Sequence, residues 1–198
     1  IILSPLISVI IILIGILLLV GNLASAQTGP GGIGNFDGSD GEPKLLLWLN
    51  ADSTSFTGGD AVDTWPDISG NNRDFSQANS GEQPTFISSG INGKPAIQFD
   101  GSDMSLVDDD AENYLNGPNA VTLISVIQSS TTGTNKGFFD GEDPDGQDDV
   151  LGIRYDADGA DGNQSDVIKA GIEADGNSES MESSDGVQTT APQIVSMQ

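Results

Sequence analysis

The chain has 198 residues, with six basic and thirty acidic residues, no histidine and no cysteine, for a net charge of −24. This composition excludes nucleic-acid and anionic-lipid binding as default functions, because both need clustered Lys and Arg. It also excludes disulfides, Ser-His-Asp and Cys-His catalytic sites and histidine-based zinc sites within the chain. A charge this large makes the compact state repel itself, and salt or bound divalent cations would relieve that repulsion.

Residues 1–26 are predicted to be a cleaved secretory signal. The run from Leu6 to Val20 is apolar apart from one serine and one glycine. It precedes Ala24-Ser25-Ala26, which fits the small-residue pattern of a cleavage site. A run of this length can also cross a bilayer as a retained helix, and it resembles the hydrophobic helix of an archaeal-type type IV pilin. We expect a secreted or cell-surface protein whose only membrane contact is through this segment.

The chain beyond the signal is predicted to be all-β. Residues 27–43 are rich in glycine and are expected to form a flexible linker. After it, short apolar runs alternate with clusters of Asp, Gly, Asn, Ser and Pro, and no window shows a sustained helical period. This pattern favours a sandwich or barrel. The short apolar runs, which the pattern makes candidate strands, are Lys44–Asn50, Pro95–Phe99, Ala120–Gln128, Val150–Tyr155, Val167–Glu173 and a run that starts at Gln193.

Two of these runs alternate clearly, and a third is rich in β-branched residues. Alternation places Leu151, Ile153 and Tyr155 on one face of their strand, and it does the same for the apolar residues between 168 and 172. Residues 120–128 are β-branched and long enough for a buried strand. The last run stops inside an apolar strand, so the domain is expected to be incomplete at its C-terminal end.

Five motifs in a fixed order carry a family resemblance. The chain resembles the LamG-like, concanavalin A-like jelly-roll domains of secreted bacterial proteins, closely from residue 44 to residue 127 and vaguely beyond residue 129. The resemblance implies a two-sheet antiparallel jelly-roll sandwich over residues 44–198. Residues 26–35 also resemble the post-signal segment of proteins that Bacteroidetes export by the type IX system. The five motifs are Leu47–Asp52, Trp65–Asn71, Pro84-Thr85, Asn92–Pro95 and Phe99–Gly101.

Within these motifs we expect structural rather than catalytic roles. Trp65 is expected to fill the sandwich core. Asp67 can accept hydrogen bonds from the backbone of residues 69–71 in an Asx-type turn, and Gly70 and Asn71 tolerate the left-handed conformation that such a turn needs. Phe99 is expected to be buried and to precede a turn. The structural residues so predicted are Trp48, Trp65, Asp67, Gly70, Phe99 and Gly101.

Catalytic carboxylates are not expected in this chain. The fold that the resemblance implies includes laminarinase-type glucanases, which carry two glutamates and an aspartate on one face of a strand. Glu173 and Glu179 are too far apart for that pattern, and the Asp-Gly-Asn-Ser sequence between them is typical of a turn. No aromatic residue stands out as a sugar platform among Tyr114, Tyr155, Phe138 and Phe139.

Two acidic stretches, 140–149 and 155–166, suggest calcium. Ca²⁺ takes six to eight oxygen ligands from flexible loops, and LamG-like domains often bind it near the ligand rim. Neither stretch has EF-hand spacing. The candidate ligands are Asp143, Asp145 and Asp148, and the alternative is that both stretches are solvated acidic loops.

The functional prediction is a non-catalytic adhesion or carbohydrate-binding module, calcium-dependent if these ligands bind the ion. Its expected partner is an extracellular polysaccharide, a cell-surface glycan or a protein. Two alternatives stay open: an accessory module of a carbohydrate-active enzyme whose catalytic domain lies downstream, and a filament subunit with a retained N-terminal helix.

Overall fold

The computed structural model describes residues 29–115, 120–142, 150–157, 165–174 and 177–198. Within these ranges the chain is mainly β-strand in antiparallel pairs, which confirms the all-β class. The one α-helical segment that these ranges contain, α1, is the short turn Glu112–Leu115. The described strands are β1 Thr64–Trp65, β2 Phe75–Ser76, β3 Thr85–Ile91, β4 Lys94–Gln98, β5 Leu123–Ile127, β6 Lys136–Glu142, β7 Val150–Asp156, β8 Val167–Ala174, β9 Asn177–Glu182 and β10 Gln193–Met197.

The chain divides into two compact units. The smaller unit combines the residues up to 49 with residues 67–72, and the larger combines 50–66 with 73–198. All ten described strands belong to the larger unit.

The largest sheet is a meander of four strands in the order β6-β7-β8-β9. The alternation predicted for β7 is confirmed, because Ile153 and Tyr155 are only 1% and 2% exposed. Their cross-strand partners on β8 are Ala170 and Ile168, which continue the same apolar face. A shift in register opposite Ile153 makes Phe138 the extra residue of a β-bulge in β6.

The antiparallel ladder of β5 and β10 packs on this sheet. Val195 and Met197 of β10 share a buried cluster with Ile153 of β7. Two β-layers therefore meet across an apolar interface, as alternating strands require when one face is buried. Partly buried residues complete the cluster: Leu123, Ile127, Phe138, Leu151, Ile168 and Ala170.

The outer face of β5 does not match the prediction of a fully buried strand. Ile124 and Val126 are 57% and 60% exposed, whereas Leu123 and Ile127 pack inward. The reason is that the buried cluster lies against the inner face of the β5–β10 ladder, whereas the outer face is exposed.

A second buried cluster lies around the β3–β4 hairpin. Ala51, Val62 and Phe86 form its centre, and the rings of Phe56 and Phe86 are 6.1 Å apart. The hairpin closes with Asn92 and Gly93, which both have positive φ, at 52° and 76°. This Asn-Gly pair is the signature of a type I′ hairpin turn.

The glycine-rich segment, predicted to be a flexible linker, instead forms hydrogen-bonded turns from Gly29 onward. The Gly29 amide donates to the Gly34 carbonyl at 2.9 Å. Asn35 is 4% exposed, and its side-chain oxygen accepts hydrogen bonds from the amides of Gly38 and Ser39 at 2.6 and 3.1 Å. The glycines supply the positive φ angles that these turns need, so composition alone is a poor guide to order here.

The structure describes the N-terminal part of the chain only from residue 29 onward. The segment 1–26 and the start of the linker lie outside the described residues. Among the residues that are described, no helix is long and apolar enough to cross a membrane. The apolar run after residue 43 forms only isolated bridges, at Lys44 and Leu49.

Candidate functional site

The Trp-Pro-Asp-Ile-Ser-Gly-Asn corner is centred on the carboxylate of Asp67, which is 9% exposed. Its Oδ1 accepts hydrogen bonds from the amide of Ser69 at 2.8 Å and from the amide of Trp48 at 2.9 Å. Its Oδ2 accepts from the Ser69 hydroxyl at 2.7 Å. The predicted bond to the Ser69 amide is confirmed, and the structure adds a bond to a neighbouring segment of the chain.

The hydrogen-bond network continues from Ser69 to Asn71. The Ser69 side chain is fully buried, and its oxygen accepts from the amide of Asn71 at 3.2 Å. The Asn71 side chain donates to the Leu45 carbonyl at 2.8 Å. These polar groups hydrogen-bond one another inside the smaller unit. The corner therefore joins two chain segments and does not act as a reactive site.

The conformation of the corner corrects one detail of the prediction. Gly70 has φ +96° as expected, but the asparagine with positive φ is Asn72, at 57°, and not Asn71. Asn71 directs its side chain to backbone carbonyls, which fixes its backbone and shifts the left-handed turn by one residue.

The predicted core aromatics have different outcomes. Trp65 is partly buried against the Val62 and Phe86 cluster, as predicted. Its indole Nε1 is buried without a hydrogen-bond partner among the described residues. The prediction for Phe99 is wrong, because its side chain is 44% exposed. Ile97 takes the core position, and β4 ends at Gln98, so the chain turns away before Phe99 can follow Ile97 inward.

The turn after Phe99 is built as expected. Gly101 has φ +74°, and the carboxylate of Asp100 accepts hydrogen bonds from the amides of Ser102, Asp103 and Met104. The bond from the Ser102 amide is the main cause that lowers the pKa of the Asp100 carboxyl below its ordinary value. The Lys136 ammonium donates to the Gly101 carbonyl.

The candidate sugar platforms are occupied by other contacts. Tyr114 is 7% exposed, its hydroxyl donates to the Asp108 carboxylate at 2.8 Å, and the Arg73 guanidinium lies 3.8 Å from the ring centre in a cation–π contact. Phe138 meets the ring of the buried Tyr155 edge-on at 5.8 Å. Tyr114 and Tyr155 are therefore buried, and Phe138 is partly buried.

The candidate calcium ligands Asp143, Asp145 and Asp148 lie outside the described residues. In the sequence, the two acidic stretches that suggested calcium run from one strand of the four-stranded sheet to the next. Glu142 pairs with Val150 across the first connection. Asp156 pairs with Val167 across the second, at the opposite end of β7. These two flanking residue pairs lie at opposite ends of β7.

The side-chain amide of Gln188, which the sequence did not predict to be buried, binds the end of the sheet where Asp156 pairs with Val167. Gln188 is 7% exposed. Its side-chain oxygen accepts from the Gly133 amide at 2.9 Å, and its side-chain nitrogen donates to the carbonyls of Asp156 and Val167, both at 3.1 Å. Asp156 is also buried and forms an ion pair with Arg154 at 3.0 Å. No local sequence pattern marks Gln188, because its partners lie between 21 and 55 positions away.

The glucanase-like carboxylate pattern is not formed. Glu173 belongs to β8 and pairs with Ser178, whereas Glu179 belongs to β9 and pairs with Ile172. The two glutamates are on different strands, which agrees with the turn predicted between them. Within the described ranges no three carboxylates are grouped so that they could hold a metal ion.

No protein family, curated protein or solved structure matches this chain. The functional interpretation therefore rests on the chemistry of its own residues.

Proposed function

We propose that this chain is a secreted, non-catalytic module that binds an extracellular polysaccharide or cell-surface glycan, or mediates adhesion to a protein. Its fold is proposed to be a LamG-like jelly roll preceded by a signal peptide. Support for the fold comes from two antiparallel layers that meet across an apolar cluster, and from the turns in the Asp67 and Gly101 motifs.

The observation that carries the functional proposal is that each acidic stretch is flanked by two residues that pair in the four-stranded sheet, Glu142 with Val150 and Asp156 with Val167. Loops anchored on a rigid sheet are the usual location of binding residues. In contrast, the polar groups of the Asp67 corner satisfy one another, which argues against a reactive site there.

Calcium is proposed as the ion that links the chain to a sugar or protein partner. Asp143, Asp145 and Asp148 would supply the carboxylate oxygens that Ca²⁺ prefers, and the excess of thirty acidic over six basic residues favours cation uptake.

The calcium test is thermal unfolding of the full chain with calcium and with a chelator at matched ionic strength. A specific site raises the unfolding midpoint in calcium. The double variant Asp143→Asn/Asp145→Asn should lose that rise, whereas the matched variant Asp158→Asn/Asp161→Asn, in the other acidic connection, should keep it. An equal midpoint in calcium and chelator would reject the ion, and a loss in both variants would point to a general charge effect.

The binding test is a glycan array probed in calcium and in chelator. Retention that disappears with the chelator and with the Asp143→Asn/Asp145→Asn variant supports calcium-dependent recognition. Retention that survives both supports a calcium-free rim, and the absence of any retained glycan favours a protein partner.

The other functional classes have their own discriminating measurements. N-terminal sequencing of the mature protein separates a cleaved signal, with a start at Gln27, from a filament subunit, with a start at Ile1. A catalytic domain in the downstream sequence would make this chain the accessory module of a carbohydrate-active enzyme.

A further inference from the structure

The turn of the β3–β4 hairpin exposes an asparagine whose side chain is free to react. Asn92 and Gly93 are both exposed, and neither takes part in a hydrogen bond of the loops and turns within the described residues. A Cβ added at Gly93 would meet nothing within 4 Å. The side-chain carboxamide of Asn92 and the backbone nitrogen of Gly93 are therefore adjacent groups that no other part of the described chain restrains.

The other asparagines of the described chain provide a comparison. Asn72 is also exposed and has a φ of 57°. It precedes Arg73, whose Cβ crowds the backbone nitrogen, whereas Asn92 precedes a glycine, which has no Cβ. Side-chain hydrogen bonds hold five more of them: Asn35, Asn50, Asn71, Asn79 and Asn135.

We propose that Asn92 is a site of spontaneous succinimide formation in the folded chain. The backbone nitrogen of Gly93 attacks the side-chain carbonyl carbon of Asn92, and a new C–N bond closes a five-membered ring. The side-chain nitrogen of Asn92 leaves as ammonia and takes the proton of the Gly93 amide with it. One water molecule then opens the ring at either carbonyl, which gives aspartate or isoaspartate at this position.

The conformation of the turn already meets part of the geometric requirement for the ring. The ring sets the ψ angle of Asn92 to about −120°, the value at the first central position of a type II′ turn. That position also needs a positive φ, and Asn92 has a φ of 52°. Rotation of the single peptide between residues 92 and 93 converts type I′ into type II′, and both types join two strands through two residues. The pairing of Ile91 with Lys94 can therefore persist while the ring forms.

The two products of hydrolysis have different effects on the hairpin. Aspartate keeps the turn, because Asp-Gly also favours type I′. Isoaspartate inserts a methylene carbon into the main chain, so the loop no longer matches the pair of Ile91 and Lys94. The hairpin supplies Phe86 and Ile97 to a buried cluster, and isoaspartate should therefore destabilise the larger unit.

The experiment is peptide mapping by mass spectrometry after incubation of the full chain at neutral pH in a mild detergent. A parallel sample is unfolded in guanidinium chloride. In the folded chain Asn92 should lose its amide more than about tenfold faster than Asn72, which corresponds to about 1.4 kcal/mol in barrier height. The rate at Asn92 should rise by less than about tenfold on unfolding, because the turn needs only one peptide rotation.

The Gly93→Ala variant tests the attacking nitrogen. Its Cβ crowds that nitrogen, so the loss of the Asn92 amide should slow by more than about tenfold. Asn79 lies in the same tryptic peptide, 74–94, and is the internal control, because its side-chain amide binds Glu82. It should keep its amide in the folded chain.

Three results would each overturn the proposal. The first is an equal rate of amide loss at Asn92 and Asn72 in the folded chain. The second is an increase of more than about tenfold at Asn92 on unfolding, which would mean that the hairpin protects this asparagine. The third is an unchanged rate in Gly93→Ala, which would mean that water attacks the side chain directly and that no ring forms.

Discussion

The carboxylate of Asp67 accepts a hydrogen bond from the backbone amide of Trp48, nineteen positions earlier, at 2.9 Å. The same oxygen accepts from the amide of Ser69. One buried side chain thus closes its own turn and fastens that turn to the segment around residue 48. An aspartate suits this position because its carboxylate has acceptor sites for both the Trp48 amide and the Ser69 amide. A residue that only forms the turn would not bind the Trp48 amide.

Replacing Asp67 should therefore destabilise the smaller unit strongly. Asp67→Ala leaves two amides and the Ser69 hydroxyl without their acceptor, and the free energy of unfolding should fall by about 2–4 kcal/mol. Asp67→Asn keeps one acceptor oxygen for the two amides and loses only the bond to the Ser69 hydroxyl, whose oxygen already accepts from the backbone and side-chain nitrogens of Asn71. Its loss should be smaller, about 1–2 kcal/mol.

The measurement is urea unfolding followed by tryptophan fluorescence. A Trp65→Phe background leaves Trp48 as the single tryptophan, so the signal reports the smaller unit. Asp63→Ala, with an exposed side chain, is the control and should change stability by less than about 0.5 kcal/mol. Equal losses for Asp67→Ala and Asp63→Ala would mean that the corner does not hold this unit together.

Gly70 is predicted to be intolerant of any side chain for two reasons. Its φ of +96° is costly for other residues. An added Cβ would also lie 3.1 Å from a ring carbon of Phe36. Gly59 is the matched control, because its φ is +95° and an added Cβ would meet nothing within 4 Å. Gly59→Ala should cost about 1–2 kcal/mol, and Gly70→Ala about 1 kcal/mol more.

Each glycine variant is read by the tryptophan of its own unit. Trp48 reports on Gly70→Ala in the Trp65→Phe background, and Trp65 reports on Gly59→Ala in the Trp48→Phe background. If the two variants cost the same, the Phe36 ring moves aside freely and only the backbone conformation matters.

Tyr155 should make stability fall at high pH. Burial raises the pKa of its hydroxyl above the ordinary value, so ionisation is easier in the unfolded chain. The stability that the neutral form contributes is complete below the unfolded pKa of about 10 and is lost as the pH rises toward the folded pKa. Tyr155→Phe should remove this alkaline loss. At neutral pH it should cost about 1 kcal/mol, because the hydroxyl no longer binds Gln193.

Urea unfolding of wild type and Tyr155→Phe at several pH values between about 7 and about 11 measures the effect. The two stability curves should converge as the pH rises. Parallel curves would show that Tyr155 does not ionise on unfolding in this range.

The sequence predicted the features whose cause is local. Period-two alternation placed Ile153 and Tyr155 on a buried face, because alternation itself is what buries one face of a strand. The turns at Asp67, Gly70 and Gly101 could also be predicted, because a short polar side chain or a glycine determines the backbone conformation within a few residues.

The predictions failed where burial depends on distant partners. Alternation would place Phe99 on the same face as Ile97, but β4 ends at Gln98 and the Phe99 side chain is exposed. Tyr114 is buried by contacts with Arg73 and Asp108, which no periodicity encodes. The exposed face of β5 follows from which layer packs on it, and a run of β-branched residues does not specify that.

Gln188 carries the last prediction, because its side chain joins three segments at one end of the four-stranded sheet. It accepts from the amide of Gly133 and donates to the carbonyls of Asp156 and Val167. Gln188→Leu leaves these buried groups unpaired and should lower the free energy of unfolding by about 2–4 kcal/mol.

Gln188→Glu keeps the acceptor but turns a carboxylate oxygen toward two carbonyls, so its stability should rise as acid protonates the new side chain. Urea unfolding at neutral and mildly acidic pH measures both variants, and Gln98→Leu, exposed at the end of β4, is the neutral control. A Gln188→Glu variant as stable as wild type at neutral pH would show that water or rearrangement satisfies the carbonyls, and that the amide is not what closes this end of the sheet.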